Sequence, residues 1–80
     1  MNFSLEKLLF DMRVLVQDCD SHRFLKEDDH WTENPAEAMD FPSSFEAMNF
    51  CVHNRIQKAE VVLKAQDERY DVHLALSRDN

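Results

Sequence analysis

The side chains able to hold a metal or attack a substrate are few and poorly spaced. Four histidines (His22, His30, His53, His73) and two cysteines (Cys19, Cys51) are the soft or borderline ligands. No C-x2-C or H-x3–5-H spacing occurs among them, so a structural zinc site has no support. Cys51 and His53 are two residues apart on a helical stretch and do not share a face. Asp18-x-Asp20-x-His22 has the look of a calcium loop, but its sixth position is Arg23, not glycine, and its twelfth is Asp29, not glutamate. Carboxylates crowd at Glu27, Asp28, Asp29 and Glu33. Crowding alone does not make an acid–base pair, which needs a cleft and a shifted pKa. Ser21-His22 and Ser43-Ser44 are explained by turn and cap chemistry without a nucleophile. Glycine is absent, which removes the phosphate-cradling loop, the dinucleotide fingerprint and the nucleophile elbow, all of which need its backbone freedom. The expectation is a chain with no catalytic residues, no metal and no cofactor.

The elements that would position these groups are organised around residues 31–50, WTENPAEAMDFPSSFEAMNF. Asn34-Pro35-Ala36-Glu37 and Ser43-Ser44-Phe45-Glu46 are two helix-start signatures. In each, a capping side chain accepts from first-turn amides and a glutamate stands three residues on to reach back. Pro42 pushes Phe41 out of the α region, so residues 39–41 are predicted as a short extended segment between a helical turn and a true helix. Over 43–54, at 100° per residue, Phe45, Ala47, Met48, Phe50, Cys51, Val52 and Ile56 fill a broad apolar arc, with Glu46, Asn49 and His53 in a polar wedge. So wide an arc predicts cover by a sheet on one side and by a further element or a partner chain on another. Asn54 is the expected left-handed residue at its end.

Upstream, two readings compete. Leu5, Leu8, Leu9, Met12, Leu15, Val16 and Cys19 can be strung along one helix spanning 4–19, or a strand can begin at Met12, where Met12, Val14 and Val16 alternate. Asp18-Cys19-Asp20-Ser21-His22 is turn chemistry, and a hairpin of 12–18 with 22–27 accounts for both it and the extended look of Phe24-Leu25-Lys26. Downstream, Ala59-Val61-Leu63 and Tyr70-Val72-Leu74-Leu76 alternate with polar or smaller residues about a polar connection, which predicts an antiparallel pair within 58–76.

From Met12 to Leu76 the chain resembles short uncharacterised bacterial proteins that share one layout: a hairpin, a tryptophan segment, one helix and two C-terminal strands. The likeness rests on Trp31-Thr32, Pro35, Glu37-Ala38, Phe41, Ser43-Ser44, Ala47 and Tyr70-Asp71-Val72. It implies architecture and no assigned activity. The chain departs from that pattern at Ser21-His22, where Thr-Gly is expected, and at Ala75, where proline is expected. The resemblance favours the hairpin and sets residues 1–11 apart as an amphipathic extension. The resulting expectation is a single α+β domain over 12–76, with a small, mostly antiparallel sheet (12–27 hairpin, 39–41 strand, 58–76 pair). The main helix at 43–54 crosses one face, a short N-terminal helix precedes the sheet, and the tail at 77–80 frays.

Charge and length narrow the partners. Eighty residues make one domain that buries roughly 60% of its unfolded surface, so a protein partner or homo-oligomer is expected. Of the net charge of −7, residues 18–40 carry −6, with eight carboxylates against Arg23 and Lys26. Such a balance disfavours direct nucleic-acid binding. No apolar run approaches the roughly 20 residues of a membrane span, and charges at Glu6 and Lys7 argue against a signal peptide. Two cysteines make no disulfide framework, which fits a cytoplasmic protein with reduced thiols. The leading expectation is a non-catalytic accessory or protein-interaction module, possible as a small subunit of a larger assembly. Its partner-binding residues would be Phe3, Leu5, Leu8 and Leu9 on the extension and Glu27, Asp28, Asp29 and Trp31 on the acidic segment. The alternatives are an acidic inhibitor or nucleic-acid mimic seated in a basic cleft, and a small enzyme.

Overall fold

Six strand residues, Arg13–Asp18 (β1), carry the apolar run Val14-Leu15-Val16, two of them β-branched valines, between polar ends, and they form the middle of the sheet, covered on both faces. The computed structural model describes residues 12–27 and 29–75. Phe24–Glu27 (β2), His30–Thr32 (β3), Ala59–Lys64 (β4) and Val72–Ala75 (β5) complete a five-stranded antiparallel sheet in the order β3-β2-β1-β4-β5. Ser44–His53 is an α-helix (α1). The α+β class, the helix and the two C-terminal strands follow the sequence reading. From residue 13 onward the strand reading holds against the helical one. The predicted N-terminal helix, in residues 1–11, and the frayed tail lie outside the described residues.

The longest ladder joins β1 to β4 over six pairs, from Arg13↔Lys64 to Asp18↔Ala59. Side chains alternate across a sheet, so one face presents Val14, Val16, Leu25, Trp31, Ala59, Val61, Leu63 and Leu74. There α1 lays Ala47 and Cys51, both fully buried, with Met48 and Phe50 beside them. Small residues at 47 and 51 let the helix sit close to the strands. On the reverse face Leu15 is paired with Val62, both essentially without exposure, and Leu15 clusters with Phe24 and Ala38.

Residues 39–41 are not the strand predicted for them. β1 and β2 share the single register pair Gln17↔Phe24 and then part. Into the gap the Met39 amide donates to the Leu25 carbonyl (2.9 Å) and the Phe41 amide to the Val14 carbonyl (3.0 Å). One bond to each side fills the split without forming a ladder. Ala38 thus packs on the reverse face, while Met39 and Phe41 join the helix-side core, where Phe41 meets Phe50 edge-on at 5.3 Å. The strand missing from the sequence reading is β3, whose Trp31 pairs directly with Leu25.

Two further expectations are corrected. Tyr70 ends a 3-10 turn, Glu68–Tyr70, capped by the Asp67 side chain, so β5 begins two residues later, at Val72. At the end of α1 the left-handed residue is Arg55 (φ 58°), not Asn54 (φ −102°). The Arg55 amide donates to Val52 O (3.2 Å) and the Ile56 amide to Cys51 O (2.9 Å). This is the Schellman pattern, in which the residue after the cap must turn left-handed and the next returns an apolar side chain to the helix. Ile56 does so by packing on the core.

Candidate interaction surface

The acidic segment is shaped by the β2–β3 hairpin. Its register shifts between Leu25 and Glu27, and its turn holds Asp29 in the left-handed region (φ 62°), a conformation that aspartate tolerates better than most residues. Glu27 and Asp29 are exposed at this tip. The Glu27 carboxylate lies 3.7 Å from His30 Nδ1, an ion pair when the imidazole is protonated. Trp31 is half-buried, its ring packed on the helix-side core. At the other end of β3, Arg23 reaches Glu33 at 3.6 Å across exposed surface.

Three carboxylates of the segment are occupied by the chain itself. Asp18 Oδ2 accepts from the Ser21 and Asp20 amides at 2.7 and 3.2 Å, closing the β1–β2 turn around a left-handed His22 (φ 64°). The Ser21 amide is the main reason the Asp18 carboxyl sits below the usual carboxylate range. Glu37, predicted to reach back to its own helix start, instead accepts from the Thr32 hydroxyl (2.9 Å); that hydroxyl in turn accepts from the Asn34 amide, and Asn34 Oδ1 caps Ala36 (both 3.0 Å). Asp40 is held by Arg13. Asp20, Glu27, Asp29 and Glu33 remain on the surface.

Of the residues assigned to partner binding, the structure therefore brings Glu27, Asp29 and Trp31 onto one hairpin. Phe3, Leu5, Leu8, Leu9 and Asp28 lie outside the described residues. The groups that invited chemistry are dispersed. Cys51 is buried under α1 and its thiol is pushed up by desolvation, while His53 is exposed with Nδ1 3.0 Å from the Asn49 carbonyl. His73 pairs with Glu60 across β4–β5 (2.7 Å). Among the described residues no three His, Cys, Asp or Glu side chains are grouped so as to hold a metal ion, and no helix is long and apolar enough to cross a membrane.

The second side of the helical arc, for which the sequence predicts a further element or a partner chain, is open among the described residues. Phe45 and Val52, placed within the apolar arc of the helix, are 69% and 71% exposed. They lie seven residues apart, within about 20° of each other around the helix, on the side turned away from the sheet. The breadth of the arc was the signal that one side would lack sheet to cover it.

No protein-family model matches the sequence, and neither the curated proteins nor the solved structures contain a match to it.

Proposed function

We propose that this chain is a non-catalytic accessory module that binds another protein in the cytoplasm, as a small subunit of a larger assembly. The observation that carries this reading is the division among its carboxylates. Asp18, Glu37 and Asp40 are engaged in holding turns and loops, whereas Asp29 and Glu27, the latter within 3.7 Å of His30, stand exposed at the tip of a hairpin that also carries a half-buried tryptophan. An acidic rim beside an aromatic suits a basic, partly apolar patch on a partner, with charge guiding approach and the ring supplying contact. Residues 1–11, with Phe3, Leu5, Leu8 and Leu9, supply the apolar side chains of the second contact element.

The test uses the full-length chain as bait, at low and at about 0.5 M salt, where exposed charge pairs are largely screened. Neutralising Glu27, Asp28 and Asp29 to their amides is expected to weaken capture at low salt. Replacing Leu5, Leu8 and Leu9 by serine is expected to remove the salt-resistant part. If both variants capture every partner as the wild type does, the reading is wrong. A partner lost entirely on raising salt, and bound to the leucine variant unchanged, would favour the acidic-inhibitor alternative instead.

A further inference from the structure

The outward face of α1 is self-complementary, and we propose that it pairs with the same face of a second copy of this chain, antiparallel about a two-fold axis level with Asn49. This inference is independent of the partner-binding reading above. Five exposed residues define the face: Phe45, Glu46, Asn49, Val52 and His53. At 100° per residue, Phe45 and Val52 fall on one flank of Asn49, and Glu46 and His53 fall together on the other. The buried pair, Ala47 and Cys51, lies on the opposite side of the helix.

A two-fold axis lying in the interface, perpendicular to the helix, reverses the helix direction and keeps each flank on its own side. Phe45 of one copy then meets Val52 of the other, at nearly the same height because both stand three or four residues from Asn49. On the other flank Glu46 meets His53. Each contact occurs twice, as an isologous interface requires. Asn49 meets its own copy at the centre, where an amide can donate and accept at once. The acidic first turn thereby lies against the basic end of the partner helix, and the helix dipoles run opposed. A parallel two-fold pairing would instead exchange the flanks, setting Glu46 against Phe45 and His53 against Val52, polar groups against apolar ones. Five residues a side fall well short of the roughly 20–30 of a standard interface, so the dimer is expected to be weak, with dissociation on the order of 10–500 µM.

Sedimentation of the full chain across that concentration range at physiological salt reads the equilibrium. The wild type is expected to shift from monomer to dimer. The F45S/V52S variant, altered only at exposed positions, is expected to stay monomeric with an unchanged circular dichroism spectrum. H53K is expected to tighten the dimer several-fold by facing Glu46, and E46K/H53K to loosen it below wild type. In a C19S background, F45C mixed with V52C should form a disulfide across the dimer. F45C alone should not, since its two copies stand about 12 Å apart along the helix direction, beyond disulfide reach. A wild type that stays monomeric throughout, a dimer indifferent to F45S/V52S, or self-crosslinking of F45C as efficient as the mixed pair would each overturn the proposal.

Discussion

Arg13 and Asp40, 27 residues apart, form a two-pronged ion pair, Nε to Oδ1 at 2.7 Å and an Nη2 contact to Oδ2 at 3.2 Å. The same guanidinium donates to the Pro35 carbonyl (2.7 Å) and the Ala38 carbonyl (3.0 Å). One side chain on the central strand thus fastens the whole 35–40 segment, which has to cross the sheet between β1 and β2 before α1 can begin. Arginine's planar fork suits four such bonds; lysine's single ammonium does not.

The first prediction separates the carbonyl bonds from the ion pair. Arg13→Ala is expected to destabilise by about 2 kcal/mol, because two charge-assisted bonds to loop carbonyls are lost along with the carboxylate. Asp40→Asn should cost less than about 1 kcal/mol, since its carboxylate is 61% exposed and such pairs are screened. Urea denaturation of the two variants checks the order. Equal losses would mean that the carbonyl contacts contribute nothing.

A second fastening joins β4 to β5. Asp71 Oδ1 accepts from the Ala65 amide at 2.8 Å while Oδ2 lies 3.2 Å from Lys64 Nζ, with both charged side chains mostly shielded. Ala65 is itself buried, so Asp71→Ala strands a backbone donor and a mostly shielded ammonium together. The expected cost is about 2–3 kcal/mol. Asp71→Asn keeps an acceptor for the amide and should lose roughly half as much. Thermal melts of both variants measure the difference.

Left-handed backbone without glycine leaves room for improvement. His22 (φ 64°) and Arg55 (φ 58°) each hold a conformation that a β-carbon disfavours by about 1–2 kcal/mol. Arg55→Gly should raise stability by about 1 kcal/mol once the greater freedom of glycine in the unfolded chain is deducted. The Ser21-His22 turn should behave alike in His22→Gly. Increased urea midpoints with unchanged slopes would bear this out; a decrease at position 55 would mean that its side chain contributes more than its backbone costs.

What could be read from the sequence was local. Ser43 caps α1 by accepting from the Glu46 amide at 3.2 Å, and Asn34 caps its own turn. The β1–β2 turn and the alternation in β4 are likewise written within a few neighbouring residues. Long-range partners were not legible. Nothing near Phe41 announces that its amide will bond Val14 O, and nothing near Asp40 announces Arg13. β3 has three residues, too few for alternation to show, and its tryptophan stands directly before a cap signal that draws attention to the helix side. Phe45 and Val52 are apolar by type, and type alone cannot say which side of a wide arc the sheet will cover. The acidic segment likewise looks uniform in sequence, and its division into structural and surface carboxylates depends on contacts that only the fold supplies.

Acid titration tests one of those structural carboxylates. The Asp18 carboxyl is lowered by the Ser21 amide first of all. A depressed native pKa means that its stabilising effect is complete above the ordinary aspartate value and is lost as pH falls from about 4 through the lower native value. Asp18→Ala should therefore be less stable than wild type at neutral pH, and the gap should narrow as the pH is taken below 4. Urea midpoints at pH 7, 4 and 2.5 give the comparison. A gap constant with pH would mean that the carboxylate's charge plays no part in closing the turn.

The two thiols should report on separate parts of the molecule. Cys19 is exposed in the β1–β2 turn, its pKa raised by desolvation and then by Glu60, Asp18 and Asp20, so little thiolate is present at neutral pH. Cys51 is fully buried between α1 and the sheet, and burial pushes its thiol up as well. An aromatic disulfide reagent should modify one thiol in the native protein, slowly at pH 7 and faster as pH rises. It should reach the second only when α1 lifts away. Cys19→Ser should abolish the native reaction, and denaturant should then expose Cys51 along the same curve that the circular dichroism follows. If Cys51 reacts well before that curve, α1 opens independently of the sheet, and the close seating provided by Ala47 and Cys51 does not bind the helix into the cooperative core.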